Sequence, residues 1–165
     1  MINRVEPPQA GTEVELLRAF LDYYRDTLLL KMEGLDREQL TRRLVGSDTT
    51  LLGIVKHMAY VERGWFRRTL NNQIFPVPWT DEDPDADFRI EPAETPEEIL
   101  AFYRQEVAEA RLSAEGHSLD DLAEGVDYGR RVSLRWIYIH MIEETARHCG
   151  HADILREQID GATGD

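Results

Sequence analysis

The chain has 165 residues and carries 19 Lys and Arg against 32 Asp and Glu, a formal net charge of −13 at pH 7. This length fits one domain over residues 1–165, and the 42% hydrophobic and 31% charged content is typical of a globular chain rather than a disordered one. The excess of negative charge argues against binding to nucleic acid or to an anionic membrane surface, because both need clustered positive charge.

The cysteine content and the N-terminus bear on the compartment. The one cysteine, Cys149, excludes an intrachain disulfide, which suits a reducing environment. The N-terminal segment contains Glu6, Pro7 and Pro8 and no apolar core, so it does not resemble a signal peptide. Apolar runs such as residues 28–30 are far too short to span a bilayer. We therefore expect a soluble, cytoplasmic protein without a membrane partner.

Helical periodicity predicts four helices, of which the first two have the following bounds. The first extends from about Thr12 to Glu33, where apolar residues recur at helical spacing, and Gly34 ends it. The second extends from about Thr49 to Leu70. Ser47 or Asp48 is expected to cap its first turn, because short oxygen-bearing side chains accept the free amide hydrogens there.

The third and fourth helices have clearer boundaries. Thr95 is predicted to cap the third helix, with Pro96 at its first position and Glu98 completing a capping box. The fourth helix, the longest, is predicted to begin near Ser133 and to end at about Ile159, with Gly161 just beyond.

Two longer connections separate these helices. Residues 71–94 join the second and third helices, and five of the seven prolines lie between positions 76 and 96, which excludes a regular helix there. We interpret the acidity of this segment as solvation of a surface loop rather than as a binding role; the residues concerned are Asp81, Glu82, Asp83, Asp85 and Asp87. Residues 116–132 form the second connection, with at most a short turn of strand at 126–132. The pattern predicts an all-α four-helix bundle with a long crossover between helices two and three.

Three of the five histidines lie in the fourth helix. On a helical wheel, His148 falls inside the apolar arc and Glu144 at its edge, whereas His140 and His151 fall just outside. Glu144 and His148 are four residues apart, so both side chains project from one face, one turn apart. A carboxylate aimed toward a core is destabilising unless it is paired, and a divalent cation bound by both residues would neutralise it.

The second helix offers a third ligand for such a cation. His57 lies at the edge of its apolar stripe, and four-helix bundles build metal sites from facing helices. Two alternatives stay open from periodicity alone: His57 is an ordinary satisfied polar residue, or Arg147 or Arg156 neutralises Glu144. His117, in a loop, gives no signal of this kind.

Residues 51–66, LLGIVKHMAYVERGWF, and residues 140–157, HMIEETARHCGHADILRE, resemble the DinB-like superfamily of metal-binding four-helix bundles, in particular its actinobacterial mini-circle type branch. The helix order and the long crossover agree, so the resemblance covers nearly the whole chain. The wider superfamily uses three histidines, one from the second helix and a His-x-x-x-His pair from the fourth. Here Glu144 replaces the first member of that pair, as in the metal domain of the mycothiol-dependent maleylpyruvate isomerases. The resemblance implies His57, Glu144 and His148 as metal ligands.

Two histidines, one carboxylate and an open fourth position are typical of a catalytic zinc set. Zinc is our first choice of cofactor, and Ni²⁺, Fe²⁺ or Mn²⁺ would also accept nitrogen and oxygen ligands. Superfamily enzymes similar to this chain use low-molecular-weight thiols such as mycothiol or bacillithiol, and a metal stabilises the deprotonated sulfur of such a thiol. The leading hypothesis is therefore a metal-dependent thiol S-transferase of detoxification type, whose partners are a small thiol and a small-molecule electrophile.

Two other functions stay open. A metal-dependent hydrolase could use the same ligands to activate water, with His140, His151 or Glu143 as general base. A non-catalytic metal-binding stress-response protein, as a monomer or a homodimer, is the other alternative. Cys149 is not a candidate nucleophile, because it falls on the side of the helix away from Glu144. The isomerases have a second domain, whereas we expect a single domain over residues 1–165 here, so their substrate chemistry is not carried over.

Overall fold

The computed structural model describes residues 2–126 and 129–164. In these residues it is helical, and an isolated antiparallel bridge joins Leu122 and Ser133. The prediction of an all-α four-helix bundle with a long crossover is confirmed. The elements are α1 (Glu13–Leu30), a short α2 (Arg37–Leu40), α3 (Leu51–Glu62), a π-helical continuation of α3 that we call the π segment (Arg63–Leu70), α4 (Pro96–Ser113) and α5 (Leu134–Asp160).

Most helix ends lie where the local sequence predicts them. Thr95 caps α4, and the side chain of Glu98 returns to the Thr95 amide at 3.0 Å, which completes the predicted capping box. Thr12 caps α1 in the same way. Ser133 caps α5, and Gly161 ends that helix in the left-handed conformation at φ 77°, where a side chain would be strained.

The start of the second predicted helix is a correction. Thr50, rather than Ser47 or Asp48, caps α3, because its hydroxyl accepts a hydrogen bond from the amide of Gly53 at 3.0 Å. Asp48 instead forms an ion pair with Arg43 at 2.9 Å. The helix therefore begins at Leu51, later than a cap at Ser47 or Asp48 would place it.

The second half of that helix also differs from the prediction, because the α-helix ends at Glu62 and continues as the π segment. Two buried carboxylates lie next to this segment: Glu62, the residue before it, and Glu106, on the neighbouring helix α4. Glu62 is fully buried and binds the Arg25 guanidinium through two hydrogen bonds of 2.7 and 2.6 Å. Glu106 of α4 is also fully buried and accepts hydrogen bonds from Arg63 and Arg67 at 2.7 and 2.9 Å.

The bundle is held by an apolar interior to which all four long helices contribute. The α1 helix packs on α5, and α3 packs on α4 and also contacts α5. Burial of such side chains contributes roughly 1.5–3 kcal/mol each. Fully buried members include Leu21, Leu28, Leu52, Ile54, Met58, Ile137 and Met141.

The connection between α4 and α5 closes the end of the π segment. The amides of Glu124 and Gly125 donate to the carbonyls of Leu70 and Thr69 at 2.8 and 2.9 Å, which satisfies groups that a helix end leaves free. The strand turn predicted at 126–132 falls in part on residues 127 and 128, outside the described residues. No helix in the described part of the chain is long and apolar enough to cross a membrane.

Candidate metal centre

The structure brings together the three residues that the sequence predicts as ligands. His57 comes from α3, and Glu144 and His148 come from consecutive turns of α5. One donor atom of each lies within 4.8 Å of the other two. The two imidazole ring centroids are 4.9 Å apart. The i, i+4 spacing on α5 and the packing of α3 against α5 therefore produce a compact set of two nitrogen donors and one carboxylate.

His148 is the most buried member of this set, with 8% of its surface exposed. Its Nδ1 atom is buried and has no hydrogen-bond partner in the described part of the chain. Burial, and next the nearby His57, lowers the pKa of His148 to about 4. The imidazole is therefore neutral at pH 7, which is the form that binds metals.

His57 is oriented by a carboxylate from the crossover, the loop of residues 71–94. Its Nδ1 lies 2.8 Å from Oδ2 of Asp87, which is itself only 6% exposed. With Nδ1–H donating to the carboxylate, Nε2 is the nitrogen left to bind a cation, an arrangement typical of metal-ligating histidines. The interpretation of the acidic crossover as a solvated surface is therefore wrong for Asp87.

The crossover also covers His57 through Phe88. The two rings are stacked, with centroids 4.1 Å apart and an interplanar angle of 16°. This approach depends on Gly53, because a Cβ atom at that position would collide with the carbonyl oxygen of Phe88. Glycine at position 53 thus allows the crossover to lie directly on α3, one turn before His57.

The arginines that the sequence offers as alternative partners do not neutralise Glu144. Arg156 donates to the carbonyls of Lys31 and Glu33, both at 2.9 Å, at the end of α1. Arg147 is exposed. Glu144 is half-buried and forms no hydrogen bond or ion pair with any of residues 2–126 and 129–164.

The remaining histidines lie outside the ligand set. His140 stacks on Trp136 at 4.9 Å and meets the edge of Trp65 at 4.7 Å. His151 is exposed and touches the His148 ring edge-on at 5.3 Å. His117 pairs with Asn71 at 3.1 Å.

Cys149 is a packing residue of α5 rather than part of the site. It is 3% exposed, and its thiol donates to the carbonyl of Tyr24 on α1 at 3.4 Å. Burial raises the pKa of this thiol to about 12, so it stays protonated at neutral pH. The placement agrees with the wheel, which directs Cys149 away from Glu144.

A cleft of about 590 Å³ opens beside His57, within the size range of small-molecule sites. The π segment forms one wall and the crossover forms another. The side chains that line it include Tyr60, Trp65, Arg68, Trp79, Asp85 and Val126. No sequence pattern predicts this cleft, because its two walls come from segments that share no periodicity.

The three residues fit a divalent cation by their chemistry. Two neutral imidazoles and one carboxylate are a common zinc-binding set that leaves a fourth position open. The unpaired carboxylate of Glu144 and the orphaned nitrogen of His148 are the polar groups that a bound cation would satisfy.

Four long helices with a crossover, carrying this cluster on α3 and α5, define a DinB-like helical bundle with a candidate metal site. The family model of the mycothiol S-transferases matches residues 16–161, and the chain therefore belongs to that family. The match includes all three candidate ligands and the crossover. No curated protein matches the sequence.

Proposed function

We propose that the protein is a metal-dependent S-transferase that joins a low-molecular-weight thiol, such as mycothiol, to small electrophiles in detoxification. The observation that carries the proposal is the cluster of His57, Glu144 and His148 beside a ligand-sized cleft. Family membership supports a thiol as the partner. A reducing cytoplasm suits this chemistry, because the thiol must stay unoxidised before it reacts.

Each residue of the site has a distinct role in this proposal. Asp87 holds the imidazole of His57 in one tautomer and one orientation. Burial keeps His148 neutral, and Glu144 contributes the one negative charge of the set. A cation held by these three residues would stabilise the thiol sulfur as its thiolate. In the transfer, sulfur forms a bond to the electrophilic carbon, the leaving group departs with its bonding electrons, and the thiol proton passes to solvent.

The charge of the protein bears on which thiol is accepted. A surface with a formal charge of −13 disfavours highly anionic partners at long range, and more so at low salt. A nearly neutral sugar-linked thiol such as mycothiol is therefore favoured over glutathione.

Metal analysis of the purified protein tests the ligand set. Replacing His57 or His148 with Ala is expected to abolish stoichiometric metal binding, whereas the control His117→Ala keeps it. Glu144→His is expected to retain binding, because imidazole is an equivalent zinc ligand. Full metal occupancy in His148→Ala would refute the proposed site.

Cobalt substitution tests the thiol. A sulfur ligand gives cobalt a charge-transfer band in the near ultraviolet that a water ligand does not, and binding should release a proton. Consumption of mycothiol with monobromobimane then measures transfer. If no thiol produces the band while a simple ester is hydrolysed, the transferase proposal fails and a hydrolase takes its place.

A further inference from the structure

The cleft beside His57 has flat aromatic walls. Tyr60, Trp65 and Trp79 all line it. The ring of Tyr60 meets Trp79 edge-to-face at 5.9 Å and Phe102 at 5.2 Å, so the crossover indole is packed against the bundle. Aromatic faces of this kind provide broad apolar surfaces for a ligand that itself contains rings.

Two charged side chains in the same walls, Arg68 and Asp85, have no ionic partner among the described residues. Arg68 is exposed and forms no ion pair with another described residue, although its neighbours Arg63 and Arg67 both bind Glu106. Asp85, on the crossover, is also exposed, and its carboxylate has no partner among the described residues. The cleft thus offers one guanidinium and one carboxylate without an ionic partner to a ligand, while a second carboxylate in its lining, Asp87, is paired with His57.

This combination matches a neutral polyol. A guanidinium donates through several N–H groups in a fixed fork, and a carboxylate accepts from more than one hydroxyl. The C–H face of a sugar ring is apolar and suits an aromatic wall. An anionic ligand would meet the carboxylates of Asp85 and Asp87, and a cationic ligand would meet the guanidinium of Arg68, so neither fits the walls as well.

We propose, on the basis of the thiol chemistry set out above, that this cleft binds the sugar portion of the thiol. His57 belongs both to the candidate metal set and to the cleft wall. The cleft therefore adjoins the ligand cluster, so a thiol whose sugar lies between Trp79 and Arg68 can extend its sulfur toward that cluster. Arg68, Asp85 and Trp79 are then the residues that select a sugar-linked thiol over a peptide thiol.

Calorimetric titration of the metal-free protein with S-methyl mycothiol tests this directly. Methylation blocks thiolate formation, so binding reports the sugar contacts and not the metal. Wild type is expected to bind S-methyl mycothiol and not S-methyl-N-acetylcysteine, which lacks the sugar. Arg68→Ala and Trp79→Ala should each weaken binding about tenfold, which corresponds to loss of about 1.4 kcal/mol. The matched controls Arg104→Ala, on the exposed side of α4, and Phe20→Ala, an exposed aromatic residue of α1 outside the cleft, should bind as wild type does.

The outcomes separate this proposal from the proposed function. Failure of S-methyl mycothiol to bind wild type, or equal binding by Arg68→Ala and Trp79→Ala, would overturn the sugar site even if a cobalt–sulfur band is seen. Binding that depends on both residues, without a cobalt–sulfur band for any thiol, would keep the sugar site and refute the transferase. In turnover, Arg68→Ala should raise KM for mycothiol and leave KM for N-acetylcysteine unchanged.

Discussion

Replacing Asp87 with Ala isolates the part that the crossover plays in metal binding. The carboxylate lies 2.8 Å from His57 Nδ1 and makes no direct contribution to the ligand set. Its loss leaves all three donors in place but frees the imidazole to rotate and to exchange tautomers. We expect the zinc affinity to fall, with the ligand count unchanged.

The size of the effect follows from the geometry. Losing the partner of a metal-ligating histidine typically reduces metal affinity by about 10–100-fold, which corresponds to about 1.4–2.7 kcal/mol. At zinc concentrations well above the dissociation constant, the zinc-linked stabilisation falls by the same amount. For a chain of this length, that lowers the melting temperature of the zinc-loaded protein by roughly 3–10 °C.

Two measurements check this prediction. Competition against a chromophoric chelator gives the zinc dissociation constant, and thermal unfolding with and without zinc separates the metal-linked change from the loss of a buried hydrogen bond. Asp81→Ala is the matched control, because Asp81 is an exposed acidic residue of the same crossover. A dissociation constant for Asp87→Ala within twofold of wild type would show that the orientation of His57 does not depend on this carboxylate.

Three further predictions concern packing and reactivity. Glu62→Ala leaves the buried guanidinium of Arg25 with only Asp22, whose side chain is 39% exposed, and should lower the free energy of unfolding by about 3–5 kcal/mol; a change below about 1 kcal/mol in urea titrations would contradict the buried ion pair. Gly53→Ala should displace the crossover and weaken zinc binding, whereas Gly150→Ala, where a Cβ meets open space on α5, should leave zinc binding intact and stabilise the fold by about 0.5–1 kcal/mol. Cys149, whose pKa burial raises to about 12, should resist iodoacetamide in the native protein up to pH 9 and react readily once the protein is unfolded in urea; rapid native labelling would refute its burial.

The features that the sequence predicts correctly are local ones. The capping box at Thr95 and Glu98 lies within four residues, so its pattern is visible in the chain. The juxtaposition of Glu144 and His148 follows from one helical turn. The family resemblance supplied His57 as their partner, and the packing of α3 against α5 explains why it lies there.

The features that the sequence does not predict depend on contacts between segments that are far apart in the chain. Asp87 is 30 residues from His57, and nothing in the acidic run distinguishes it from its exposed neighbours. The sequence does not predict the π segment either, because apolar periodicity carries no information on the ion pairs that Arg63 and Arg67 of this segment form with Glu106 of α4. Gly53 is a local sequence signal for the contact between α3 and the crossover, because a glycine inside a helix often permits another backbone segment to approach closely.

The buried carboxylates restrict how this sequence can change over evolution. Glu62 is committed to Arg25, and Glu106 is shared by Arg63 and Arg67, so each carboxylate depends on a cation from a neighbouring element. Removing Arg25 leaves the fully buried Glu62 without its cation, and removing Glu106 leaves Arg63 and Arg67 without their shared carboxylate, whereas replacing a whole set with apolar side chains of similar volume is often neutral. Substitutions at these positions are therefore not independent of one another. Among descendants of a common ancestor, Arg25 and Glu62 should be retained or exchanged together.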